Sequence, residues 1–176
     1  MAKLKIVLLA IVFAIALGVS TFPAHAVVFE SPWEATIKLM AGQDINAGKI
    51  LIRDDAFYLT IKFQAEPDWR ITEVHLAIAT SLNGIPQTKK GNPIPGKFQY
   101  INDTLDSVES FQYKIPMTWA NGTILYIAAH CVVEGVDDFC GRNESAWAGN
   151  LSFPGRNWAN YTTYLIEYRR PMGYSQ

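Results

Sequence analysis

Apolar and polar residues alternate with a period of two along most of this chain. Ala56–Ala65 is the clearest case: Phe57, Leu59, Ile61 and Phe63 fall on one side, Tyr58, Thr60, Lys62 and Gln64 on the other. Such alternation predicts a strand with one face in a core and the other toward water. The same pattern predicts strands over Trp33–Met40, Lys49–Arg53, Ile71–Thr80, Ser110–Ile115 and Asn160–Tyr168. Ile124–Val133 differs. Leu125, Ile127, Ala129, Cys131 and Val133 form one apolar face, and Ile124, Tyr126, Ala128, His130 and Val132 form a second that is nearly as apolar. A strand apolar on both faces is a central one, covered on both.

Turn residues punctuate these runs at Ala41–Asp44, Asp54-Asp55 and Glu66-Pro67-Asp68. Seven to nine short strands without a helical period predict an all-β domain. The expected form is an antiparallel two-sheet β-sandwich, Ig-like or jelly-roll-like, with a closed barrel as the alternative. One connection is long: Ser81–Lys97 holds three glycines, three prolines and three lysines. A loop of this length inside a small domain is functional or packed on itself, and its prolines reduce the entropy lost on ordering. Ala77, Ala79 and Ala128 leave room beneath it, so an ordered cover is expected.

The N-terminus adds a compartment. Lys3 and Lys5 precede the apolar run Ile6–Val19, and Ala24-His25-Ala26 offers a small-x-small cleavage site. That pattern predicts a signal peptide over residues 1–26, a single β-domain over 27–170 and a flexible tail over 171–176. Without Lys3 and Lys5 the formal charge moves from −1 to −3. No basic stripe is visible along the chain, so nucleic acid is not an expected partner. No membrane span is expected after cleavage, and no cofactor is implied.

Export changes the reading of two residue types. Cys131 and Cys140 are expected to form a disulfide, worth roughly 2–3 kcal/mol for a ring of about ten residues. Asn102, Asn121, Asn143, Asn150 and Asn160 each begin an N-x-S/T sequon and are candidate glycosylation sites.

His75 shares a strand face with Glu73 and Ala77, and His130 shares one with Tyr126 and Ala128. If the strands are neighbours, the rings meet in one small-walled site. Two uses follow: a metal or ligand site oriented by Glu73, or a structural pair whose imidazoles pin the Ser81–Lys97 loop through its carbonyls. The structural use is the expected one. Glu134, Asp137, Asp138, Asn143 and Glu144 form an acidic loop whose spacing matches no calcium motif. Trp147 and Trp158, in Gly- and Asn-rich surroundings, are candidate platforms for a sugar. No nucleophile elbow, metalloprotease helix or phosphate-binding loop occurs.

The segments EVHLAIATSLNGIPQTKKGNPIPGKFQY, LYIAAHCVV, ESAWAG and NWANYTTYLIEY together resemble a module of secreted and cell-surface proteins of bacteria and archaea. The resemblance spans about Ile45 to Tyr168. It implies a β-sandwich and an extracellular setting, and it transfers no catalytic residue. The expected function is a non-catalytic extracellular or cell-surface interaction module, its partner a protein or a glycan. A carbohydrate-binding module and a metal-assisted hydrolase using His75, His130 and Glu73 are the alternatives.

Overall fold

Period-two alternation becomes extended structure in ten places. These are β1 (Ala35–Ala41), β2 (Ile45–Asp54), β3 (Tyr58–Ala65), β4 (Trp69–Ala79), β5 (Tyr100–Asn102), β6 (Ser110–Pro116), β7 (Ile124–Gly135), β8 (Asn143–Ala148), β9 (Leu151–Ser152) and β10 (Asn160–Leu165). The computed structural model describes residues 35–167. The expected signal peptide, Trp33 and the C-terminal tail lie outside them. The all-β class is as the alternation predicts.

The strands join in one antiparallel sheet, in the order β5-β4-β7-β8-β1-β2-β3-β6. β7 is long enough to serve two partners along one edge. Its N-terminal half pairs with β10 and its C-terminal half with β8, while β4 runs along the other edge. The expected pair of separate sheets is therefore one continuous ladder, curled into a half-barrel. Its two arms, β4–β7–β8 and β1–β2–β3–β6, enclose one core. Leu125, Ile127, Cys131 and Val133 of β7 meet Ile50, Ile52, Leu59, Ile61 and Phe63 of β2 and β3 there. Ile71 and Val108 exchange both backbone hydrogen bonds, at 2.8 and 3.0 Å, and stitch β4 to the segment leading into β6. β6 itself ends the ladder on one side and the three-residue β5 on the other.

A bulge sets the phase of β4. The register shifts between Ile71 and Glu73, so Thr72 is the extra residue. Trp69 and Ile71 thus point into the same core as Val74, Leu76 and Ile78, and Glu73 and His75 point out.

Phe57 departs from the expected inward set. It is 71% exposed. The Asp55 carboxylate accepts the amides of Phe57 and Tyr58, both at 2.7 Å. That turn delays β3 until Tyr58 and leaves Phe57 outside it.

The Ser81–Lys97 loop is an ordered cover, as its composition predicts. Short 3₁₀ turns occupy Leu82–Gly84 and Pro95–Lys97. Between them Gln87 pairs with Pro93 in a small hairpin. Ile85, Phe98, Phe153 and Ala159 bury a second, smaller core with Ala77, Ala128 and Trp147 on the outside of the sheet. Ala77 and Ala128 stand directly opposite each other across β4 and β7. Their small size makes the hollow that the loop fills.

Candidate functional site

The register of β4 and β7 decides where the histidines go. His75 is the cross-strand partner of His130, so both rings rise from one face of the sheet, as expected. The rings stack at 27°, with centroids 5.2 Å apart, and their Nδ1 atoms are 3.2 Å apart. One of these nitrogens donates and the other accepts. His130 Nε2 lies 2.6 Å from the Ser145 hydroxyl on β8, and its ring packs 4.7 Å from that of Trp147. His75 Nε2 lies 3.8 Å from a Glu73 carboxylate oxygen. Four side chains from three strands thus form a polar line: Ser145, His130, His75, Glu73.

Burial sets the charge state of this line. His130 is 7% exposed. Loss of hydration lowers its pKa to about 3, and the neighbouring His75 pushes the same way. Burial also lowers His75, while the charges of Glu73 and Asp103 oppose that shift. At neutral pH His130 is uncharged. A group with so low a pKa takes a proton from a serine hydroxyl poorly at that pH. The line is well suited to fixing ring orientation and poorly suited to activating Ser145.

The histidines do not pin the loop as expected. His130 bonds His75 and Ser145. The loop is held by other groups. Gln99 pairs with the backbone of Ile78 like a short strand, accepting its amide at 3.2 Å and donating to its carbonyl at 3.1 Å. The Asn92 side chain accepts the Asn157 amide at 3.2 Å, and the Gly155 amide donates to Gly91 at 3.2 Å. Glycine at 155 permits this approach: a Cβ there would lie 2.7 Å from the Asn92 backbone nitrogen.

The expected disulfide is absent. Both cysteines are free, Cys131 buried and Cys140 exposed. β7 runs on past the expected strand end to Gly135, and Cys131 pairs with Ala146 well inside the β7–β8 hairpin. Four residues of extended chain, about 13 Å, separate Cys131 from the end of β7, and Cys140 lies in the loop beyond. A disulfide needs Cα atoms closer than about 7 Å. Cys131 also faces the main core, where burial pushes its thiol pKa up.

Of the two candidate sugar platforms, Trp147 is buried. Trp147 lies in β8 and is 6% exposed, roofed by Phe98 and Phe153 at 6.3 Å each. Trp69 is in the main core, and Trp158 is half-buried beside the smaller one. In the acidic loop, Glu134 accepts a hydrogen bond from Ser107. Among the described residues no group of three His, Cys, Asp or Glu side chains is arranged to hold a metal ion. Of the sequon asparagines, Asn121, Asn143 and Asn150 are exposed, and Asn102 and Asn160 are half-buried.

Ser145 was not among the sequence candidates. Its signal was present in the period-two series Asn143, Ser145, Trp147, which puts it on the face of His130 once β8 is recognised as a strand. In comparisons with family models, curated proteins and solved structures, nothing matches this chain.

Proposed function

We propose that this chain is an exported, N-glycosylated, non-catalytic interaction module of the extracellular space or cell surface, like the module its sequence resembles. Its curled sheet would work as a sandwich, the two arms acting as the layers. The observation that carries this reading is that both ring nitrogens of buried His130 are already engaged. His130 has one ring nitrogen toward His75, the other toward the exposed Ser145 and its face against Trp147, so the imidazole best placed to carry chemistry is used to hold three strands together. The exposed sequon asparagines Asn121 and Asn143, on the turns before β7 and at the start of β8, support a glycosylated surface. Expression in a glycosylating secretory host tests the reading. We expect a mature N-terminus at Val27, glycan mass at Asn121 and Asn143, and no stoichiometric metal. An unprocessed N-terminus, or one metal ion per chain that is lost in His130→Ala while the fold survives, would overturn it.

A further inference from the structure

The outer face of β1, β2, β3 and β6 carries Lys38, Lys49, Arg53, Lys62 and Lys114. The only acidic residue in these four strands is Asp54. It points inward, is buried, and accepts hydrogen bonds from the Tyr164 hydroxyl at 2.8 Å and the Glu167 amide at 3.1 Å. The cations lie in register. Lys38 stands directly opposite Lys49, Lys49 is opposite Gln64, Lys62 is opposite Gln112, and Lys114 is opposite Thr60. Each step from Lys49 to Lys62 to Lys114 is therefore a diagonal to the next strand. With diagonal neighbours about 7–8 Å apart and direct ones about 5 Å, the four lysines form an oblique line about 20 Å long. The basic stripe missing from the linear sequence is assembled by the fold.

Two observations point to a ligand. Like charges directly opposite each other destabilise a sheet, so the Lys38–Lys49 pair weakens the fold it sits on. The line also runs into an open hollow of about 540 Å³, which contains Lys49, Lys62 and Arg70 together with Gln64 and Ser110. Two acids border that hollow: Glu66, and Glu109, whose carboxylate is 3.4 Å from Arg70.

We infer that this face binds a linear acidic polysaccharide, an inference that rests on the extracellular reading above. A line of four cations matches a repeating anion better than a single one. The polar neighbours Gln64, Gln112 and Ser110 can bond sugar hydroxyls. Lysine supplies compact point charges, whereas phosphate recognition favours the forked guanidinium of arginine. Single-stranded nucleic acid also needs aromatic platforms between the cations. Tyr58 is the aromatic side chain on this face, and Lys114 lies 4.1 Å over its ring. In the processed chain the formal charge of −3 means that acidic groups outnumber cations elsewhere on the surface, which favours this stripe for a polyanion.

The test titrates the processed, glycosylated protein with polygalacturonate, neutral dextran, an oligothymidylate and vesicles containing phosphatidylserine. We expect saturable binding of polygalacturonate that weakens with salt, and no binding of dextran. Lys49→Glu/Lys62→Glu should reduce affinity about tenfold or more, and Lys89→Glu/Lys90→Glu, on the covering loop, about twofold or less. Lys49→Gln/Lys62→Gln removes charge without reversing it and serves should the first variant not fold. The proposal is overturned if wild-type protein does not bind polygalacturonate, if the loop variant loses as much as the stripe variant, or if the oligonucleotide or the vesicles bind more tightly. N-terminal sequencing and glycan mass of the same sample judge the extracellular reading separately. A processed glycoprotein that fails to bind rejects only this inference.

Discussion

The two outer faces of this sheet have the same backbone and opposite fates. On the β4–β7–β8 arm the outward residues include Ala77, Ala128 and Trp147, and the chain's own loop roofs them into a second core. On the β1–β2–β3–β6 arm they are long and cationic, and Leu51 and Thr60 are buried among them. By register, Thr60 is surrounded by Arg53, Lys62, Lys114 and Tyr58, whose stems can cover it while their polar ends stay in water. Small outward residues invite a cover, and long charged ones replace it. The difference decides which face is available to another molecule.

The sharpest way to break this contrast is to truncate one residue on each face. Trp147→Ala should cost about 3–5 kcal/mol and free the Ser81–Lys97 loop, because a large buried ring leaves a cavity under it. Lys62→Ala should change stability by no more than about 0.5 kcal/mol. Denaturant titration with hydrogen exchange over residues 81–97 measures both effects. Equal losses would show that the two faces are not covered differently.

Acid should act on the covered face. Burial holds the pKa of His130 at about 3 in the folded chain, against 6.5 for a free imidazole side chain. Between these values the unfolded chain takes up a proton that the native chain refuses, so stability falls as the pH falls. The contribution is complete above about pH 6.5 and is lost progressively toward about pH 3, by a few kcal/mol at roughly 1.4 kcal/mol per unit of difference. Burial shifts His75 in the same direction. Melting temperatures from pH 7 to pH 4 should fall less steeply in His130→Gln than in wild type, and Lys49→Gln should keep the wild-type slope.

Overfilling the hollow is a milder disturbance. Ala128→Leu should cost about 1–3 kcal/mol, since the added carbons have to displace Ile85, Phe98 or their neighbours. Increased protease cleavage within residues 81–97, with β1–β3 still protected, would locate the damage. The smallest effect has the opposite sign. Lys49→Gln relieves the repulsion from Lys38 and should raise stability by a few tenths of a kcal/mol, detectable as a small increase in the denaturation midpoint.

Much of this was legible in the sequence. The all-β class, the inward faces of β3, β4 and β7, and the covering loop over its alanines all followed from period and composition. Sheet connectivity did not, because alternation gives each strand a face but no neighbour. Strand β8 was hidden by its length and by Gly149 and Asn150 beside it, and without it neither the Ser145 contact nor the depth of Cys131 in its hairpin could be read. The cationic line was invisible for the same reason: Lys38, Lys49, Lys62 and Lys114 are scattered in sequence and become neighbours through pairing alone. The histidines could be placed on one face beside Glu73, but the contacts of His130 with Ser145 and Trp147 depended on β8.

The position of β6 as a terminal strand has a consequence for crowded solutions. An open strand edge is a template on which a second copy can extend the ladder, and repetition of that event builds fibres. β6 carries Lys114 and then ends on Pro116, which has no N–H to offer a newcomer. At the opposite end, β5 gives only three residues for such growth. Both ends of the β5-to-β6 path therefore offer little room for a further strand.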